Sequence, residues 1–369
     1  MSPQRPAWIE IDLGSLRHNA ALIRKEIGDR ATFYAVVKGD AYGAGIPAVV
    51  NALKDSEVDA FAAGDFDEAM EVRKHSPGAT ILLYGSYAPD QIRELSTFEI
   101  VLTVYSPECL FALAQIDRPL KVMVKVDCGF GRLGFRETEI ESVLRTIQGL
   151  PRIELRGLYT HIGAGDDPAA VSIQAERFAV AQGSAEELGL SGLEYMIASS
   201  RVLVGYPQLK SNAVNPGRFL YGLLEAPWRD RVAVRPVFKA VKSRLIQIKH
   251  LQDGRRYGYG PFMEKMPSDV RVGIAAVGFA SGLPRSMSGT HVLIRGRRAS
   301  VIGLAAMEHL LLDLTGIGDA AVGDEVVLIG KQGNDSITGE AFSHQLGMTE
   351  LELVPRLGRG LRRCYVQSA

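Results

Sequence analysis

Between residues 32 and 215 the chain alternates short β-prone runs with amphipathic stretches, and that alternation leaves few folds open. The runs fall at 32–38, 60–63, 80–84, 100–104, 121–127, 157–161, 194–198 and 213–215. Between or before them, 13–27, 46–54, 65–74 and 169–188 read as helices. Leu13, Leu16, Ala20, Ile23 and Ile27, for example, recur at helical spacing. About eight β-α units in roughly 220 residues is the count of a closed parallel barrel. The same periodicity also fits a doubly wound open sheet.

The texture changes near Pro227. Strand-like runs at 237–251, 270–278, 291–304, 309–314 and 325–330 follow with few helices between them. Asp253-Gly254, Ser288-Gly289, Arg295-Gly296 and Gly323-Asp324 supply turn signals. We expect an α/β chain of two domains: a (β/α)8 TIM-like barrel over 1–226, then a mostly β domain over 227–369, a sandwich or small barrel. Residues 356–363, rich in arginine and glycine, read as a solvated terminal segment.

Charge narrows the partners. Lys plus Arg and Asp plus Glu both number 42, so nothing calls for nucleic acid or an anionic membrane surface. The three cysteines, Cys109, Cys128 and Cys364, lie far apart and suggest neither a disulfide framework nor a metal site. The first ten residues have no apolar core of a signal peptide, and no run of about 18 apolar residues exists. A cytoplasmic enzyme of small molecules fits this balance.

Chemistry concentrates after the first barrel run. Lys38 ends it, and Gly39-Asp40-Ala41-Tyr42-Gly43-Ala44-Gly45 follows at once. An amine at the carboxyl end of a barrel strand stands where such folds keep their chemistry. If burial lowers its pKa, it can condense with a carbonyl cofactor. An ordinary surface lysine fits those few residues as well.

Further motifs follow in order: Trp8-Ile9-Glu10-Ile11-Asp12-Leu13, then Lys125-Val126-Asp127-Cys128-Gly129-Phe130-Gly131-Arg132-Leu133-Gly134 and Tyr159-Thr160-His161. After them come Ala198-Ser199-Ser200, Asn215-Pro216-Gly217, Leu220-Tyr221-Gly222, Gly258-Tyr259-Gly260, Gly278-Phe279-Ala280 and Met307-Glu308. With the lysine motif, these resemble bacterial alanine racemases over nearly the whole chain, from Pro6 to Tyr365.

The resemblance implies a homodimeric isomerase that binds pyridoxal 5'-phosphate and interconverts L- and D-alanine. It makes Lys38 the Schiff-base lysine and one base. Tyr259, from the second subunit, is the opposing base, held by His161 with Arg156 behind it. Tyr42, Ser200 and the Gly217 backbone would contact the phosphate. Arg132 would contact the cofactor's phenolic oxygen and the substrate carboxylate, oriented by Lys125, which is carbamylated in many members. The Met307 backbone would help bind the carboxylate; as a side chain, Met307 reads as core. Asp166, Asp167 and Pro168 read as a helix start.

Four departures from the family's pattern stand out, the last of them at two positions. Asn215 stands where an arginine meets the pyridine nitrogen, and Arg218 follows three residues on. Phe279 replaces a tyrosine at the substrate entrance, Ser281 replaces an aspartate, and Ala306 and Glu308 flank Met307. These leave open a racemase or epimerase of another amino acid, such as serine or a biosynthetic intermediate. A pyridoxal-phosphate lyase (a decarboxylase or aldolase) on the same fold is the alternative of a different class. No metal is expected.

Overall fold

The computed structural model describes residues 5–163, 165–209, 211–251, 256–257, 264–265 and 270–367. The chain divides into two compact units. One comprises Leu16–Ala41 and Ile46–Arg235; the other comprises Met1–Ser15, Tyr42–Gly45 and Pro236–Ala369.

The chain opens with strand β1 (Ala7–Asp12), which belongs to the second unit. The first unit is a closed parallel barrel. Its strands are β2 (Thr32–Val36), β3 (Ala60–Ala63), β4 (Thr80–Leu83), β5 (Val101–Val104), β6 (Leu120–Lys125), β7 (Ile153–Tyr159), β8 (Glu194–Ala198) and β9 (Ala213–Val214). β9 is short but closes the ring, pairing Ala213 with Thr32 on β2 and with Met196 on β8. β3 and β5 are buried at every position, and β2 and β4 are buried beyond their first residue. Strands covered on both faces read as continuous apolar runs, which is why these were visible in the sequence. The barrel, not the open sheet, is the architecture, and all its strands end at one rim.

In the second unit, β10 (Phe238–Leu251) pairs with β1 along its first half and with β13 (Val270–Ala275) along its second. Between them β11 (Arg256–Tyr257) and β12 (Glu264–Lys265) form a small ladder. Beyond β13 come β14 (His291–Ile294), β15 (Arg297–Ile302), β16 (Leu310–Asp313), β17 (Glu325–Gln332), β18 (Asp335–Ile337) and β19 (Arg362–Val366). The sheet runs β18-β17-β14-β15-β16-β13-β10-β1-β19. Because β10 also pairs with β17, the strands from β17 through β10 close on themselves, giving the small barrel among the expected alternatives.

Two expectations need correction. The run at 291–304 is a hairpin, turned by Arg295 (φ 51°) and Gly296 (φ 71°), the left-handed pair of a two-residue turn. The tail is not a loose terminal segment. Glu350–Gly360 is a helix with a Thr349/Glu352 capping box, and β19 then pairs in parallel with β1. Arg356, Arg359 and Arg362 nevertheless point to solvent.

Candidate active site

A left-handed turn follows β2. Gly39, Asp40, Ala41 and Tyr42 all have φ between 55° and 69°. A non-glycine residue held there costs on the order of 1–2 kcal/mol. Two hydrogen bonds offset part of that cost: Ala41 N–H to the Val37 carbonyl (2.7 Å) and Ile46 N–H to the Asp40 carboxylate (3.0 Å). Lys38 stands at the head of this turn. Its side chain is exposed in the open mouth, yet enough protein crowds the amine that lost hydration lowers its pKa, with Arg132 and Arg218 adding to the effect and Glu68 opposing it. The ammonium lies 5.7 Å from the centre of the Tyr84 ring.

Past β6, Asp127 organises the loop that carries Arg132. Its carboxylate accepts the backbone N–H groups of Gly129 (3.0 Å), Phe130 (2.8 Å), Gly131 (3.0 Å) and Arg132 (3.1 Å). Burial pushes the Asp127 carboxyl up, but these donors more than offset it, so its pKa lies below the usual value. Gly129 (φ 119°) and Gly131 (φ 75°) give the loop its tight curl. The Arg132 guanidinium then stacks on Phe130 (4.4 Å), whose ring meets His161 edge-on (5.2 Å).

Lys125, the last residue of β6, is buried; its amine lies 4.8 Å from the centre of the Tyr159 ring and donates to the Val126 carbonyl at 3.3 Å. Burial lowers its pKa to about 7. His161, just past β7, is pushed down to about 3 by burial and by four cations: Lys125, Lys38, Arg132 and Arg218. The imidazole is therefore neutral at pH 7. Cations gathered at one rim around a neutral imidazole suit a ligand bearing a phosphate and a carboxylate.

This makes a testable pH dependence. Between about 6.5 and 3 the unfolded chain protonates His161 and the folded barrel does not, so this group costs stability as pH falls through that window. In protein freed of cofactor, the Tm of a His161→Gln variant should fall less steeply than the wild type's on acidification. Parallel curves would contradict the assignment.

The remaining rim residues are held by one another. Ser200 Oγ accepts from Phe219 N–H (3.0 Å), so it caps the neighbouring short helix Gly217–Leu220 and keeps a proton to donate. The Gly217 N–H donates to the Asn215 carbonyl at 3.0 Å. Asn215 Nδ2 donates to the Tyr84 hydroxyl at 3.1 Å, although β9 and β4 are not adjacent strands. Tyr84 had no assigned role in the sequence; the pairing is non-local and no motif carries it. Arg218 is paired with Glu225, which also binds Arg201.

Some expectations fall elsewhere. Arg156 is not behind His161: it is a mid-strand residue of β7, bound to Glu194 (2.7 Å), which also takes the Tyr34 hydroxyl. Asp167 does cap the helix Pro168–Glu187, while Asp166 pairs with Arg201 at 2.8 Å. In the second unit, Phe279 N–H donates to the Ala306 carbonyl and Ala280 N–H to the Met307 carbonyl, both at 3.0 Å. Met307 is 58% exposed, so it is no core methionine. Glu308 pairs with Arg5, and Ser281 is buried. Tyr259 lies outside the described residues, as do Gly258 and Gly260.

Models of the alanine racemase N-terminal and C-terminal domains match residues 11–225 and 238–365. An alanine racemase of Nostoc sp. is 29% identical over 371 residues, covering 95% of each chain. One from Geobacter sp. (strain M21) is 32% identical, covering 98% of this chain and 99% of its own. The crystal structure of alanine racemase from Bacillus anthracis with bound L-Ala-P superposes with a TM-score of 0.91 at 26% identity, covering 100% of this chain and 97% of that one.

A parallel barrel with a lysine and clustered cations at its carboxyl rim, followed by a β domain, defines a pyridoxal-phosphate enzyme of the barrel type. The chain belongs to the alanine racemase family of isomerases. Among the described residues no helix is long and apolar enough to cross a membrane.

Proposed function

We propose that this chain racemises alanine, or a similar small amino acid, by moving the α-proton between two bases on opposite faces. The observation that carries this reading is Lys38, an amine of lowered pKa standing among Arg132, Arg218 and a neutral His161 at one barrel rim. When bound, pyridoxal phosphate supplies the electron sink that makes an amino-acid α-proton removable.

Each role follows from chemistry at a named atom. Lys38 Nζ anchors the cofactor and exchanges the proton on one face. The Tyr259 phenol serves the other face, contributed by a second copy of the chain in a homodimer. A phenol near its reference pKa of about 10 is a poor base and needs a partner for its oxygen. Neutral His161 is suited to that, since it can hold one hydrogen bond without adding charge. Arg132 binds the substrate carboxylate through a fork fixed by stacking on Phe130.

Tyr42, Ser200 and the Gly217 backbone hold the phosphate; the Ser200 hydroxyl retains a donor for it, and the Gly217 N–H turns to it from the Asn215 carbonyl. Asn215, already tied to Tyr84, serves the pyridine edge as a neutral pair in place of a guanidinium. Phe279 and the Met307 backbone serve the entrance and the carboxylate. Lys125, with its pKa near 7, holds enough neutral amine to take up carbon dioxide as a carbamate that offsets Arg132's charge.

The test is to incubate the holoenzyme with L-alanine, L-serine and other L-amino acids in deuterated water. Racemisation with α-deuterium in the product is expected, with alanine or serine fastest. Release of carbon dioxide or an aldehyde without α-exchange would replace this reading with the lyase.

A further inference from the structure

Asp65-Phe66-Asp67-Glu68 opens the helix Phe66–His75 with the residue spacing of a capping box. The Asp65 half forms: its carboxylate accepts the Glu68 N–H at 2.9 Å. The Glu68 carboxylate works beyond that cap. One oxygen accepts the Gly64 N–H at 2.9 Å, and the other crosses to the neighbouring loop and accepts the Asp40 N–H at 2.7 Å. Asp40 is the second residue of the left-handed turn that begins after Lys38. Glu68 is only 8% exposed, so its charge has been taken out of water to make these bonds. The packing is close: a Cβ on Gly64 would stand 2.9 Å from the Glu68 carboxylate and 3.0 Å from Lys38 Cβ.

We propose that Glu68 is a positioning residue for Lys38, locking the left-handed turn from which the amine projects and setting a carboxylate charge beside it. The turn places three successive non-glycine residues at positive φ, so it persists only where surrounding contacts over-determine it. A charge-assisted bond to the Asp40 N–H from outside the turn is such a contact. The charge matters as well. Arg132 and Arg218 face Lys38 and disfavour its proton, half-buried His161 is neutral, and among the described residues Glu68 is the group that favours the proton. This deepens the proposed function and rests on it for the chemistry, but not for the geometry.

The test uses Glu68→Gln, which keeps size and one acceptor oxygen but removes the charge. The first readout needs no cofactor: trace acylation of Lys38 by acetic anhydride against pH, followed by mass spectrometry. The midpoint should fall by roughly half a unit or more, because the protonated amine loses a favourable neighbour. In the holoenzyme, the Kd for pyridoxal phosphate should rise about tenfold, and the pH midpoint of the visible absorbance should move down.

Asp65→Ala removes the helix cap alone, and should lower Tm while leaving both midpoints in place. Glu68→Asp keeps the charge but shortens the reach, so it should retain more of the midpoint than of the affinity; it serves also if the glutamine variant does not fold. Unchanged midpoint and affinity in Glu68→Gln would overturn the proposal, as would an equal shift in Asp65→Ala. A wild-type protein that binds no pyridoxal phosphate would sink the proposed function, while the acylation profile would still decide the role of Glu68.

Discussion

Replacing Lys38 with alanine is expected to abolish the visible absorbance of the bound cofactor and to lower racemisation by on the order of 10⁴-fold or more. The size follows from the loss of two roles at once, since one amine both anchors the cofactor and exchanges a proton. Rescue from within the rim is not open. Lys125 is the other lysine acting on His161, but it is buried, lies against the Tyr159 ring and donates to the Val126 carbonyl. A guanidinium has no free lone pair to offer as a nucleophile, so neither Arg132 nor Arg218 can take the place of the amine. Free methylamine supplied to the variant should restore some exchange on the face Lys38 served. Retained colour that borohydride still discharges would show that the cofactor is anchored elsewhere.

Much of this molecule was legible from local pattern, and what was missed is mostly non-local. The barrel runs stood out because parallel strands covered on both faces have no polar alternation to blur them. The helix Glu350–Gly360 was hidden by Pro355 and by glycines at 358 and 360, although Thr349 and Glu352 carried its start signal. Asp40 and Ala41 gave no hint of positive φ, because neither residue type requires it. The Asn215–Tyr84 bond joins two strand ends far apart in sequence, and Arg156 was misplaced because nothing local says which end of a barrel strand a side chain serves. Glu68 is hidden for the same non-local reason: its spacing from Asp65 is that of a helix cap, and nothing local shows that its carboxylate bonds the Asp40 N–H on another loop.

Asp127→Ala should lower kcat/KM by on the order of 10²-fold, chiefly through a raised KM, without touching any reacting atom. Four backbone N–H groups converge on this carboxylate, and the last belongs to Arg132. Without it those donors turn to water, the glycine-rich curl loses its centre and Arg132 samples many positions instead of one over Phe130. The folded-state pKa of Asp127 is depressed below its usual 3.8, so its contribution is complete above that value and is lost only as pH falls further, through the folded pKa. Any acid limb seen between pH 5 and 7 must therefore come from another group. A double-mutant cycle separates a loop latch from a general structural role. If Asp127 acts through Arg132, then Asp127→Ala should cost little once Arg132 is already alanine. An equal cost in both backgrounds would mean that the loop serves the site by some route other than its arginine.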